Sequence, residues 1–214
     1  MAPRRVQRPG AVPNEFAVAA ARHLAAGEAD DFDTARRRAA RDLGLDERRD
    51  APDNRSIQRA LAEHLALFER EELAARLARL RGAALRALEA LARFDARLVG
   101  PVWYGTATAS TPITLHLASD EPEAVTRFLL ERRIPYHLVD RHCRFPRGDA
   151  ADMPCFEVEI AGEAFDLVVF PTAGSRRMPL SSLDDKPVRR VAAAELGALL
   201  DSGQLFTDGL AALG

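Results

Sequence analysis

The sequence predicts an α+β protein, with a helical N-terminal region followed by a small mixed β-sheet that carries helices on one face. Two changes along the chain predict it. Up to about Leu98 the apolar residues recur at spacings of three and four, the period of an amphipathic helix. Beyond it they gather into short runs rich in β-branched and aromatic residues, separated by turn signals. A composition of 47% apolar and 29% charged residues is that of an ordinary globular protein with enough apolar material for a core.

Residues 1–13, rich in Pro and Arg and without apolar periodicity, are expected to form a mobile tail. A first helix is expected from Asn14 through Phe16, Ala20 and Leu24 to a stop at Gly27. A second runs from about Asp33 to Leu43, with Gly44 in the left-handed position that closes helices. Residues 46–54 have turn chemistry, and Asp53 or Asn54 caps a third helix whose buried face carries Ile57, Leu61, Leu65 and Phe68. A fourth, from about Glu71 to Phe94, sets Leu73, Leu77, Leu80, Leu88 and Leu91 on one stripe. An exposed apolar face on it would mark a dimer; the sequence leaves the oligomeric state open.

Five strands follow, in VGPVWYG, PITLHLA, IPYHLVD, CFEVEIA and FDLVVFP. A helix over Glu121–Arg133 lies between the second and third, and another covers about Ala192 to Asp201. The helical region is therefore drawn as 14–96 and the α/β domain as 97–214.

A formal net charge of −2 excludes the strong basic field that drives non-specific nucleic-acid binding. Lys186 is the single lysine among 30 basic residues, a coding bias that weakens any inference from arginine abundance, including the cluster Arg36, Arg37, Arg38 and Arg41. Cys143 and Cys155 lack metal-ligand spacing and are expected to be buried thiols. No window approaches the length of apolar chain needed to cross a membrane, and no signal peptide is visible, so a cytoplasmic location is expected.

The stretch Val102–Leu117, VWYGTATASTPITLHL, together with the later FDLVVF, resembles the nucleotidyltransferase superfamily related to polymerase beta. That family's motif is an apolar strand ending in Gly-Ser, a strand of the form Asp-x-Asp, and a later acidic strand residue. Gly105 and Thr106 match the Gly-Ser pair, and Ser110–Leu117 matches the Asp-x-Asp strand. The resemblance implies that Gly105, Thr106 and Ser110 lie against a nucleotide phosphate, where a glycine lets the backbone approach and a hydroxyl donates to oxygen. Two carboxylates two apart on a strand share a face and can hold divalent ions for phosphoryl transfer. Here the two slots hold Pro112 and Thr114, which cannot replace anionic ligands of Mg²⁺ or Mn²⁺; only the third is kept, as Asp166.

The chain also resembles a bacterial family of nucleotidyltransferase-like proteins with a helical N-terminal half and a late loop of the form PLS-x-x-D-x-KP-x-RR, here Pro179, Leu180, Ser181, Asp184, Lys186, Pro187, Arg189 and Arg190. Glu157 and Glu159 are candidates to rebuild a metal site with Asp166, against the plainer expectation that both face solvent while Phe156, Val158 and Ile160 face the core. The loop 175–190, which gathers Arg176, Arg177, Lys186, Arg189 and Arg190, is a candidate to hold a triphosphate, against the plainer expectation of a solvated loop tying the last helix to the sheet. His116 is a candidate base or ligand, set against a structural histidine; His137 and His142 lack partners at ligand spacing. The expected function is a nucleotidyltransferase-like module with a degenerate metal site that binds nucleotide, RNA or protein, the helical half being the surface for an RNA or protein partner. The alternative is an active, divergent nucleotidyltransferase that uses Mg²⁺ or Mn²⁺ with a nucleoside triphosphate.

Overall fold

The computed structural model describes residues 13–172, 178–207 and 210. The chain forms two compact units that divide between Glu69 and Arg70. The division falls ahead of the change of pattern near Leu98, because the long fourth helix packs with the sheet that follows it.

The first unit holds α1 (Pro13–Ala25), α2 (Phe32–Leu43), the single turn α3 (Glu47–Asp50) and α4 (Asn54–Phe68). Its helix ends follow local chemistry. The Asp31 carboxylate accepts the Thr34 N–H at 2.6 Å and Asp53 that of Ser56 at 2.7 Å, each satisfying an orphan donor of a first turn. Gly44 closes α2 in the left-handed conformation. Phe16, Ala20, Ile57, Leu61 and Leu65 are buried where α1 packs on α4. Residues 47–50 are helical within the segment expected to be all turn, and Phe68 is exposed, because α4 stops there and its last turn leaves the buried stripe. The arginine cluster of α2 is partly structural: Arg36 bonds Asp33, the Asn54 side chain and the Pro52 carbonyl, tying the turn before α4 to α2.

The second unit begins with α5 (Arg70–Ala90), which ends before a 3₁₀ turn at Ala92–Phe94, so the helix is shorter than the pattern suggests. Next come β1 (Arg97–Val99), α6 (Pro101–Tyr104), β2 (Ile113–Ala118), α7 (Pro122–Glu131), β3 (Tyr136–Arg144), β4 (Ala150–Ile160), β5 (Glu163–Phe170) and α8 (Ala193–Ser202). Only the first residue of the expected strand VGPVWYG, Val99, belongs to a strand. Gly100 breaks it with φ 79°, and Pro101, whose fixed φ suits a first helical position, starts a helical turn.

The sheet order is β1-β2-β5-β4-β3, with β2 parallel to β5 and every other pairing antiparallel. Register sorts its side chains into two faces. On one face lie Leu98, Ile113, Leu115, Leu117, Phe165, Leu167, Val169, Phe156 and Val158, all buried. Helix α5 packs against β1 and β2, and α7 buries Val125, Phe128 and Leu129, with Phe128 set edge-on to Phe94. The leucine stripe of α5 is buried inside this unit.

The opposite face is crossed by a strap. Leu180 N–H donates to the Arg144 carbonyl at the end of β3, and Val191 exchanges both backbone hydrogen bonds with Leu98 of β1. Residues 180–191 thus run from one edge strand of the sheet to the other. A turn closed by Ser181 N–H to the Lys186 carbonyl lies at the β3 end, where Asp185 pairs with Arg144 at 2.6 Å. At this end of the face Cys155, Val168 and Phe170 form a small second core with Val139, Cys143, Phe145 and Met153 against it. Both cysteines are free, Cys155 is buried, and burial pushes its thiol up to about 11.

Candidate functional site

The strapped face has a polar end. Thr114 of β2, Asp166 of β5, Glu157 of β4 and His137 of β3 are successive cross-strand partners, so they form one row on one face. Asp166 is the enclosed member, its side chain 13% exposed, and Glu157 is exposed. Arg141 sits four residue pairs along β3, opposite Met153, and folds back to bond Asp166 Oδ2 through Nη2 at 2.7 Å. Burial raises the Asp166 carboxyl above its ordinary value, and the Arg141 guanidinium opposes that rise. Arg141 is therefore the counterion that a half-buried carboxylate requires.

This row does not fit a divalent ion. Such an ion needs several oxygen ligands, mostly anionic. Thr114 offers a neutral hydroxyl directly opposite Asp166, Pro112 offers no side-chain ligand, and a cation already holds the Asp166 carboxylate. Glu159 lies opposite Ala164, one repeat beyond the Glu157–Asp166 pair, so the three candidate carboxylates do not converge. Among the described residues no group of three His, Cys, Asp or Glu side chains is placed to hold a metal ion. Phe156 and Val158 are buried and Glu157 and Glu159 exposed, the ordinary alternation of a strand.

The Gly-Ser match needs correction. Gly105 is not at a strand end; it follows α6 with φ 90°, and a Cβ there would collide with the Leu205 carbonyl. The backbone that approaches it closely is the chain's own. Thr106 is buried beside it, and Ser110 lies in a turn where its hydroxyl is 3.5 Å from that of Thr108. The glycine that ends the first strand is Gly100, and Pro101, without N–H or hydroxyl, takes the following place. Lys186 is exposed on the strap's turn. Arg176 and Arg177 lie outside the described residues.

Two further clusters stand outside that row: one around Arg81, which no motif marks, and one that joins His116 to Arg190, which the sequence marks only separately. Arg81 of α5 is 3% exposed and donates to four backbone carbonyls: Nε to Val102 at 3.0 Å, Nη2 to Trp103 at 3.1 Å and to Leu205 at 2.7 Å, and Nη1 to Gln204 at 2.7 Å. Burial pushes its guanidinium down to about 10. It falls four residues after Leu77 and seven before Leu88, on the leucine stripe itself, and that misplacement was the available signal.

The second cluster is His116 with Arg190. His116 is 6% exposed, stacks at a tilt on Phe170 with 4.6 Å between centroids, and leaves Nδ1 buried without a hydrogen-bond partner. Burial, and then the charge of Arg190, push it down to about 3, so it is neutral at physiological pH. His142 is exposed and pairs with Asp152 at 2.8 Å across the β3–β4 hairpin.

No helix of the described residues is long and apolar enough to cross a membrane. Comparisons with protein-family models, with curated proteins and with solved structures find no match to the chain.

Proposed function

We propose that the chain is a nucleotidyltransferase-like module that works by binding, with nucleotide, RNA or protein as ligand, and not by metal-dependent transfer. The observation that carries this reading is the Arg141–Asp166 pair opposite Thr114: the charge that a metal would bring to the one acidic motif position is supplied by a side chain. The first unit is offered as the surface for an RNA or protein partner. A cytoplasmic location accords with two free thiols, since a reducing compartment keeps such groups unpaired. One observation favours the alternative of a working transferase, the Glu157 carboxylate beside Asp166 in register.

The test is thermal denaturation with each nucleoside triphosphate, with and without Mg²⁺ or Mn²⁺, on the wild type and on Asp166→Asn. A ligand at about 100 times its dissociation constant adds about 2.7 kcal/mol of stability. The binding reading expects any nucleotide stabilisation to be independent of metal and to survive Asp166→Asn. Stabilisation that needs the metal and vanishes in Asp166→Asn would establish a rebuilt transfer site and overturn the reading.

A further inference from the structure

The bridge between Val191 and Leu98 fixes where the neighbouring residue goes. Val191 shares a face with Leu98, so Arg190 is turned to the opposite, strapped face, beyond the β1 edge and towards β2. There its Nε and Nη2 are buried and neither has a hydrogen-bond partner; the contact made by the guanidinium is Nη1 to the Met178 sulfur at 3.7 Å. His116, two strands in from the strap end, presents the third such atom among the described residues, Nδ1. Arg97 of β1 is the register partner of His116 and adds positive charge, while the nearby Asp95 carboxylate is bonded to Arg97 at 2.5 Å. Buried polar groups in native proteins are almost always paired, and an unpaired guanidinium edge is among the costliest exceptions.

We propose that Arg190 and His116 form an oxyanion-binding site under the strap, one that takes a phosphate or carboxylate group on the Nε/Nη2 edge of Arg190. That edge presents two parallel N–H donors, the geometry that grips two oxygens of one group. His116 is on the same face and close enough to feel the charge of Arg190, and its Nδ1 serves as a third donor in the tautomer that carries its proton there. Met178 is half-exposed and unbranched, so its thioether can swing off the guanidinium to admit the group. The site is independent of the nucleotidyltransferase-like reading, since it uses neither Asp166 nor the Gly105 turn and asks only for the oxyanion.

The experiment is thermal denaturation of the full chain with inorganic phosphate, with acetate and with chloride at matched ionic strength, on the wild type and on Arg190→Met. At about 100 times the dissociation constant the wild type should gain about 5–10 °C with phosphate or with acetate, and which of the two acts names the source. Arg190→Met should melt no lower than the ligand-free wild type, because it removes an unpaired buried charge, and should lose the gain. No response of the wild type to either oxyanion, or a response kept in Arg190→Met, overturns the site. If Arg190→Met fails to fold, the Arg190 Nε–H resonance of the wild type, assigned with Arg190→Lys, decides: it moves on phosphate or acetate titration if the site exists and stays fixed if it does not.

Discussion

Arg81→Met removes a guanidinium that serves four carbonyls and leaves a side chain of similar length and apolar character. The Val102 carbonyl loses the donor it has from Arg81, at a cost of about 1–3 kcal/mol for a buried acceptor. The Trp103 carbonyl keeps the Thr207 hydroxyl at 3.0 Å, and those of Gln204 and Leu205 are part-buried and regain some water, so these three together cost about 2 kcal/mol. The charge no longer has to be buried, which offsets part of the loss. The net expectation is a destabilisation of about 3–4 kcal/mol, read as a drop of roughly 6–15 °C in melting temperature for a chain of this size. Arg81→Lys should recover little, since an ammonium cannot present the same planar fork to carbonyls on two segments. Urea unfolding followed by tryptophan fluorescence suits the assay, because Trp103 supplies one of the four carbonyls. An Arg81→Met midpoint equivalent to within 1 kcal/mol of the wild type would refute the claim that this residue pins 204–207 onto α6.

Gly105→Ala should destabilise by about 2–4 kcal/mol in the same urea titration, because φ 90° is strained for an L-residue and the Cβ meets the Leu205 carbonyl. Combined with Arg81→Met it should cost less than the sum, since both release the same segment. Stability should also fall in acid through His116: its folded value of about 3 lies below the ordinary value, so between pH 6.5 and 3 the unfolded chain binds a proton that the folded chain refuses. The full contribution is present above pH 6.5 and is lost at up to about 1.4 kcal/mol per pH unit below it. Arg190 from the strap opposes protonation of the ring, and Arg97, its register partner on β1, is the other charged group on that face. His116→Phe should flatten that part of the pH profile of urea midpoints, and an unchanged profile would sink the assignment.

The helices of the first unit were legible because their signals are local: Asp31, Gly44 and Asp53 do at the ends what their side chains or lack of one dictate. Strand positions were legible from β-branched runs, and the alternation in β4 fixed which face Glu157 and Glu159 take. The first strand was misjudged because an apolar, aromatic run such as PVWY suits a buried helical turn equally well, and Pro101 after Gly100 decides between them. His116 was the harder case. Alternation along LHL predicts an open face for it, but the strap buries that face, and a contact between segments so far apart leaves no trace in local sequence. Arg81 was hidden for another reason: in a chain where 29 of 30 basic residues are arginine, a buried arginine has the same letter as the solvated ones.

The two ends of the strapped face use one physical device in opposite ways. At the polar end a half-buried carboxylate, Asp166, has been matched to a cation from within the chain. At the strap end a half-buried cation, Arg190, has its Nε and Nη2 enclosed without a carboxylate, although Asp95 is near enough to feel its charge and is bonded to Arg97 instead. An enclosed charge must be balanced from somewhere. If the chain itself balances it the site is closed to small ions, and if it does not the site is open to a counterion. On the proposed reading this asymmetry is the functional content of the face: the carboxylate a transferase would offer to cations is already matched by Arg141, and the enclosed charge left unmatched calls for an anion.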